Sequence, residues 1–193
     1  MNDGSSSPIN HLAEMLKSSS QSARPAVDGW DPPYCGDIGL AIAADATWSY
    51  RGSPIRRQPL VKLFAGVLRR DADRRHYLVT PAEKVDVAVA DAPFLAVEMA
   101  VEGTGQGRRE GQRLTFRTNV DDVVTAGPEH PIRFAVDPIT GGLKPYLLVR
   151  GRLEALVTRA LVMDLVALAT PDAAGRLHLE SCGVSFALPP TAE

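Results

Sequence analysis

Apolar side chains alternate with polar ones at Ile38, Leu40 and Ile42 and resume at Trp48 and Tyr50 after Asp45-Ala46-Thr47. A period of two predicts half-buried strands, here joined as a hairpin. Gly52-Ser53-Pro54 turns the chain toward a helix with Pro59 in its first turn, where the missing N–H costs nothing. Leu60, Leu63, Phe64, Val67 and Leu68 recur at helical spacing as one apolar stripe. Lys62, Arg69 and Arg70 fall on the opposite face, the two arginines placed against the helix C-terminus. Short strands follow at His76–Val79, Val85–Val89 and Phe94–Val101, separated by Thr80-Pro81 and Asp91-Ala92-Pro93, because proline interrupts a ladder.

The polar, Gly-rich stretch from Gly103 to Gly111 marks the expected internal boundary. Beyond it, strands are predicted at Leu114–Thr118, Val123-Val124, Ile132–Val136 and Pro145–Val149. A second helix is predicted over Arg152–Ala169, with Leu153, Leu156, Val157, Ala160 and Leu161 on one face and apolar residues all round near its end. A helix so apolar is expected to be buried, as the keystone of the core or at an interface. Leu177–Leu179 and Val184–Leu188 close the chain as a hairpin around Ser181-Cys182-Gly183. Ile38, Leu40, Ile42, Ile55 and Arg56 match Ile132, Phe134, Val136, Val149 and Arg150 at a constant offset of 94, from Ile38 to Ile132. A tandem duplication would produce that match, although two unrelated strand-helix passages also alternate. The expected organisation is a mobile N-terminal segment over 1–33 with a short helix through Leu12, Met15 and Leu16, a first β-rich repeat over 34–105 and a second over 106–193.

Composition narrows the class. The 193 residues are 45% hydrophobic and 23% charged, as in an ordinary globular protein. Lys+Arg 21 against Asp+Glu 23 leaves −2, so no global field favours nucleic acid or an anionic membrane. Cys35 and Cys182 form no CxxC pair and the four histidines are scattered, so no metal site is expected. Residues 1–17 lack the pattern of a secretory leader, and the most apolar helix is too short and too charged for a span. The expected location is the cytoplasm.

Candidate chemistry is sparse. There is no GxSxG elbow, P-loop or HExxH, and Gly103–Gly107 lacks the helix start that a phosphate loop needs. Asp37, Asp45, Asp86 and Asp91 could act as paired carboxylates, but each lies beside a turn residue or strand end, where Asp bonds its own backbone. A hydrolase would have to draw on Asp37, Glu83 or His130. The densest basic cluster is Arg51, Arg56 and Arg57 with Lys62, flanked by Trp48, Tyr50 and Phe64. Guanidinium forks suit phosphate or carboxylate, and Arg150 is the proposed repeat's equivalent of Arg56. Salt bridges to Asp37, Asp45 or Glu83, or plain solvation, would account for the same arginines.

Several motifs together resemble one bacterial family, domain of unknown function 1285. They are Cys35-Gly36-Asp37-Ile38, Asp45-Ala46-Thr47-Trp48, Gly52-Ser53-Pro54-Ile55-Arg56, Leu60-Val61-Lys62-Leu63-Phe64, Tyr77-Leu78-Val79-Thr80-Pro81-Ala82-Glu83-Lys84 and Asp91-Ala92-Pro93-Phe94. Thr118-Asn119-Val120, Glu129-His130-Pro131 and Pro145-Tyr146-Leu147-Leu148-Val149-Arg150 extend the match over roughly residues 30–188. Asp45-Ala46 departs from the Asp-Gly expected there, a poorer choice if the turn needs positive φ. The resemblance implies an α+β fold of two pleckstrin-homology-like repeats, each an antiparallel sheet or partial barrel packed with one helix, and a regulatory or signalling role. The expectation is therefore a non-enzymatic binding module for a partner protein or small anionic ligand, with Arg51, Arg56, Arg57, Lys62 and Arg150 as its ligand contacts and no cofactor. A hydrolase and an oligomeric structural protein are the alternatives.

Overall fold

The computed structural model describes residues 27–103 and 111–190. The predicted N-terminal helix lies outside the described residues. The expected first hairpin forms from β1 (Leu40–Ile42) and β2 (Trp48–Tyr50), antiparallel with Ile42 opposite Trp48. Its turn is set by Asp45, whose Oδ1 accepts the Thr47 N–H at 2.9 Å, and it holds Ala46 at φ 61°. β3 (Ser53–Pro54), α1 (Gln58–Gly66), β4 (Leu68–Arg70), β5 (His76–Val79) and β6 (Lys84–Val89) complete a sheet in the order β3-β2-β1-β6-β5-β4. All pairings are antiparallel except β1 with β6.

α1 buries Val61, Phe64 and Ala65, with the Phe64 ring 6.1 Å from Trp48. Leu60 and Leu63 are only half-buried, so the buried stripe is rotated from the predicted one. The helix also ends earlier than expected. Leu68 leaves it to pair with Leu78, so Arg69 and Arg70 lie on a strand and not at a helix terminus.

A division falls between Pro93 and Phe94. The second unit contains β7 (Phe94–Glu102), β8 (Arg113–Thr118), β9 (Val123–Thr125), β10 (Ile132–Val136), β11 (Leu143–Arg150) and β12 (Leu153–Val157), in the order β10-β11-β12-β7-β8-β9. Glu102 pairs with Arg113, so the Gly-rich stretch joins two strands of one sheet and does not separate the units. A side chain at Gly103, where φ is +79°, would collide with the Gly111 carbonyl. α2 (Arg159–Ala167) follows, then a small sheet of β13 (Thr170–Pro171), β14 (Leu177–Ser181) and β15 (Val184–Ala187). Ser181 ties this sheet down: its Oγ donates to the Ala126 carbonyl at 2.8 Å and accepts the Leu114 N–H at 2.9 Å.

The predicted helix over Arg152–Ala169 is therefore corrected over its first third. Leu153, Ala155 and Val157 are buried and alternate with Glu154 and Leu156, a period-two pattern that the apolar run after it had concealed. The keystone expectation fails too, because Leu165 is the one fully buried residue of α2. The core of this unit is a sheet face built from Phe94, Ala96, Leu114, Phe116, Leu147, Leu153 and Ala155.

Both units share one connectivity: two three-stranded meanders, with the first and sixth strands paired in parallel at the sheet centre. Ala90 N–H bonds Ile42 O at 3.0 Å, and Thr158 N–H bonds Ala96 O at 3.1 Å in the matching place. The offset of 94 nevertheless gave the wrong frame, because it set central strand β1 against edge strand β10. The topology matches Leu68-Arg69 to Ile132-Arg133 and Tyr77-Leu78 to Tyr146-Leu147, since Arg69 faces Tyr77 and Arg133 faces Tyr146. The helices do not correspond: α1 joins the third and fourth strands of its unit, whereas α2 follows the sixth.

Candidate functional site

Alternation along β4, β5 and β6 places Leu68, Leu78 and Val85 on the core face and Arg69, Tyr77 and Asp86 in register on the other. That second face is not wet. Tyr77 is 3% exposed and Asp86 8%, because residues 27–36 lie over it. Arg69 Nη1 donates to the Val27 and Trp30 carbonyls at 2.9 and 2.7 Å. Lys84 N–H bonds Pro33 O at 3.0 Å, Cys35 N–H bonds Lys84 O at 2.8 Å and Asp86 N–H bonds Gly36 O at 3.1 Å.

Charges covered in this way require partners, and they have them. Asp71 accepts Arg69 Nε at 2.6 Å and Lys84 Nζ at 3.3 Å. Burial alone would raise the Asp71 carboxyl, but these two cations outweigh it and hold the group below the usual aspartate range. Asp86 accepts the Tyr34 hydroxyl on one oxygen and Arg75 Nη2 on the other, the latter at 2.5 Å. Tyr77 donates its hydroxyl to Asp73 at 2.6 Å beneath Lys84, whose Nζ lies 4.6 Å from the ring centroid. Burial, then that bond to Asp73, pushes the Tyr77 phenol up to about 12.

Beside this network opens a cleft of about 390 Å³, lined by Asp37, Arg74, Arg75, His76 and Asp86 with Val87, Ala88 and Val89. Asp37 is fixed by its own loop: Oδ1 accepts the Gly39 N–H at 2.7 Å, and Arg51 N–H holds the Gly39 carbonyl at 2.7 Å. Position 39 requires glycine, since φ is +85° and a Cβ would lie 2.9 Å from Arg51 Cγ. His76 is half-buried, and desolvation followed by the nearby Arg70 charge lowers its pKa to about 4. It is neutral at pH 7.

Arg74 sits at φ 68°, in a turn closed by Asp71 N–H to Arg75 O and Arg74 N–H to Asp71 O, both 3.1 Å. The β13–β14 turn repeats the pattern, with Asp172 N–H to Arg176 O and Gly175 N–H to Asp172 O, both 2.9 Å. There the left-handed position belongs to Gly175, at φ 77°. The Arg74 guanidinium has no partner among the described residues, and its backbone conformation costs an ordinary residue about 1 kcal/mol.

Four of the arginine and lysine residues singled out from sequence fall on one continuous exposed segment. Arg51 lies 5.2 Å from the Tyr50 ring centroid. Arg56 and Arg57 are exposed, with no ion pair among the described residues, and Lys62 is exposed on α1. No ion pair from these arginines to Asp37, Asp45 or Glu83 forms among the described residues; Asp37 and Asp45 each accept an N–H of their own turn. Arg57 is the N-cap of α1, but the Leu60 and Val61 N–H groups already bond its carbonyl and Pro59 has none, so the helix end adds little to an anion grip. Arg150 is in the second unit, bonded to Asp122 and 4.8 Å from the Phe94 ring centroid. Of the hydrolase candidates, Asp37 lines the cleft. Glu83 does not; its N–H is bound in a turn by Thr80 Oγ1 at 3.1 Å. His130, in the second unit, has Nδ1 3.1 Å from the carbonyl of Leu148 on β11.

Sequence reasoning missed Tyr34, Tyr77, Arg74, Arg75 and His76, and it read Asp86, in its predicted strand, as a strand-end residue bonding its own backbone. The available signal was spacing by two: Arg75 with Tyr77 and Lys84 with Asp86 share a sheet face wherever their strands form.

Models of one family match both halves of the chain: the DUF1285 N-terminal domain over residues 25–92 and the DUF1285 C-terminal domain over residues 93–188. A solved DUF1285 family protein from Silicibacter pomeroyi DSS-3 is 43% identical, covering 90% of this chain and 91% of its own at a TM-score of 0.82. Another from Shewanella baltica OS155 is 25% identical, covering 67% of this chain and 91% of its own at a TM-score of 0.50. No curated protein matches the chain. The chain belongs to the DUF1285 family, whose function is unknown.

Proposed function

We propose that this DUF1285 protein is a non-enzymatic, cytoplasmic binding module with a regulatory, signalling role, recognising the anionic groups of a small ligand or a partner protein through guanidinium side chains of its first unit. Arg74 carries the proposal. A glycine at φ 68° would be unstrained, as at Gly175 in the matching turn, so an arginine there keeps a local cost at the rim of a cleft. Retained strain of this kind is characteristic of binding sites. Arg51, Arg56, Arg57 and Lys62 supply a second, exposed contact surface suited to an acidic segment of a partner. Arg150 is assigned to holding Asp122.

Thermal-shift screening of the full chain against nucleotides, phosphorylated metabolites, dicarboxylates and amino acids tests this. At least one ligand should raise the melting temperature, and the rise should shrink in Arg74→Gly or in Arg56→Ala/Arg57→Ala. Hits that persist unchanged in both variants would remove the proposal. No helix among the described residues is long and apolar enough to cross a membrane.

A further inference from the structure

Charge balance within the cleft narrows the ligand. Arg75 and Asp86 neutralise each other at 2.5 Å, and the second Asp86 oxygen is taken by the Tyr34 hydroxyl. His76 contributes no charge at neutral pH. Two opposite charges remain open on the lining, the Arg74 guanidinium and the Asp37 carboxylate, whose Oδ1 alone is bound, by Gly39. A purely anionic ligand would be attracted by the first and repelled by the second. A ligand carrying both an ammonium and a carboxylate satisfies both. We infer that the cleft binds a small aminocarboxylate, a free amino acid or dipeptide, with its carboxylate on Arg74 and its ammonium on Asp37.

The inference rests on the binding function proposed above and names its ligand class. The volume of about 390 Å³ is near the lower end of the roughly 300–1,000 Å³ typical of small-molecule sites, a size suited to a small metabolite. Ala88, exposed and on the same strand face as Asp86, is the apolar side chain beside the polar groups. The Asp37 carboxylate is held by the Gly39 loop, while the Asp71–Arg75 turn fixes the Arg74 backbone and leaves its side chain to be ordered on binding.

Calorimetric titration of the full chain at neutral pH, with α-amino acids, longer ω-amino acids and dipeptides, tests the assignment against three controls: the N-acetylated forms, the amidated forms, and dicarboxylates with inorganic phosphate. The expected result is that one zwitterion binds and that blocking either end weakens it by about tenfold or more, the loss of one charged hydrogen bond. Arg74→Gly, which relieves backbone strain and so keeps the fold, should weaken the zwitterion by a similar factor. Asp37→Asn, which retains an oxygen for Gly39, should weaken the zwitterion and leave the N-acetylated form unchanged. If the N-acetylated form or a dicarboxylate binds as tightly as the zwitterion and still depends on Arg74, the aminocarboxylate assignment is overturned while anion binding stands. If no member of the panel binds, or Arg74→Gly binds undiminished, the cleft assignment fails altogether.

Discussion

Two three-residue rows occupy the same place in the two units and differ at one position. In the first, Arg69, Tyr77 and Asp86 stand side by side across β4, β5 and β6. In the second, Arg133, Tyr146 and Leu156 do so across β10, β11 and β12. The arginine–tyrosine pair is common to both, and Arg133 Cζ lies 3.9 Å from the Tyr146 ring centroid. The third member sets them apart. Asp86 brings in Arg75 and Tyr34 and borders a cleft, whereas Leu156 adds only apolar surface, and Arg133 reaches past it to Glu154 at 2.6 and 2.7 Å. One topology thus carries a covered ionic face beside a cleft in one unit and a surface ion pair in the other.

The helices give the largest expected contrast. α1 buries Phe64 completely against Trp48, while α2 leaves Met163 74% exposed. Phe64→Ala should lower unfolding stability by about 3–5 kcal/mol, and Met163→Ala should change it by less than about 0.5 kcal/mol, both read by urea titration. Equal effects would mean that α2 is covered in solution. Sedimentation showing self-association that Met163→Asp abolishes would identify a second copy as the cover.

Next in size is the ionic contrast. Asp71→Ala strands two cations whose side chains are only 14% and 20% exposed, Arg69 and Lys84. Breaking a buried pair costs about 3 kcal/mol, while Glu154→Ala, facing an arginine 52% exposed, should cost less than about 1 kcal/mol. The pH dependence has a definite sign. Because the folded Asp71 pKa lies below its unfolded value, its contribution is complete above the ordinary aspartate pKa and is lost as pH falls through the lower folded value. Acid unfolding of Asp71→Asn should therefore begin from a lower plateau and fall less steeply than in the unsubstituted protein. Parallel curves would mean that Asp71 has no part in acid unfolding.

His76 gives a smaller effect in a different window. Its pKa is about 4 in the folded protein against 6.5 ordinarily, so between those values the unfolded chain binds the extra proton. Stability should fall as pH drops from 6.5 toward 4 and then level off, and His76→Gln should flatten that slope. An unchanged slope would place the imidazole in water.

Strand positions were legible because proline and glycine punctuate them: Thr80-Pro81 and Asp91-Ala92-Pro93 bracket β6 as expected. Leu153–Val157 was not, since five residues with apolar ends suit either period and the apolar run behind them favours a helix. The repeat was visible, but its frame was not. Ile38 and Ile132 look alike as alternating apolar residues, while the matching Leu68-Arg69 was absorbed into a helix that ends two residues too soon to contain it. The cleft was hidden for a related reason. Arg75, His76, Asp37 and Asp86 each look like solvated or turn residues alone, and only register, which no single strand encodes, sets Tyr77 beside Asp86.

The smallest effect is the most specific, since it compares two turns of matching hydrogen bonds whose left-handed positions are Arg74 and Gly175. Arg74→Gly should raise stability by about 0.5 kcal/mol: relief of roughly 1 kcal/mol of backbone strain, less part of the added entropy of glycine in the unfolded chain. Gly175→Arg should lower it by about 1 kcal/mol, for the reverse reason. Ala46, at φ 61°, offers a third case without a charged side chain, and Ala46→Gly should match Arg74→Gly. If all three follow backbone strain alone while only Arg74→Gly alters ligand binding, then the strain at 74 is retained for its guanidinium. If Arg74→Gly is destabilising where Ala46→Gly is not, the Arg74 side chain stabilises the fold, and the strain there needs no ligand to explain it.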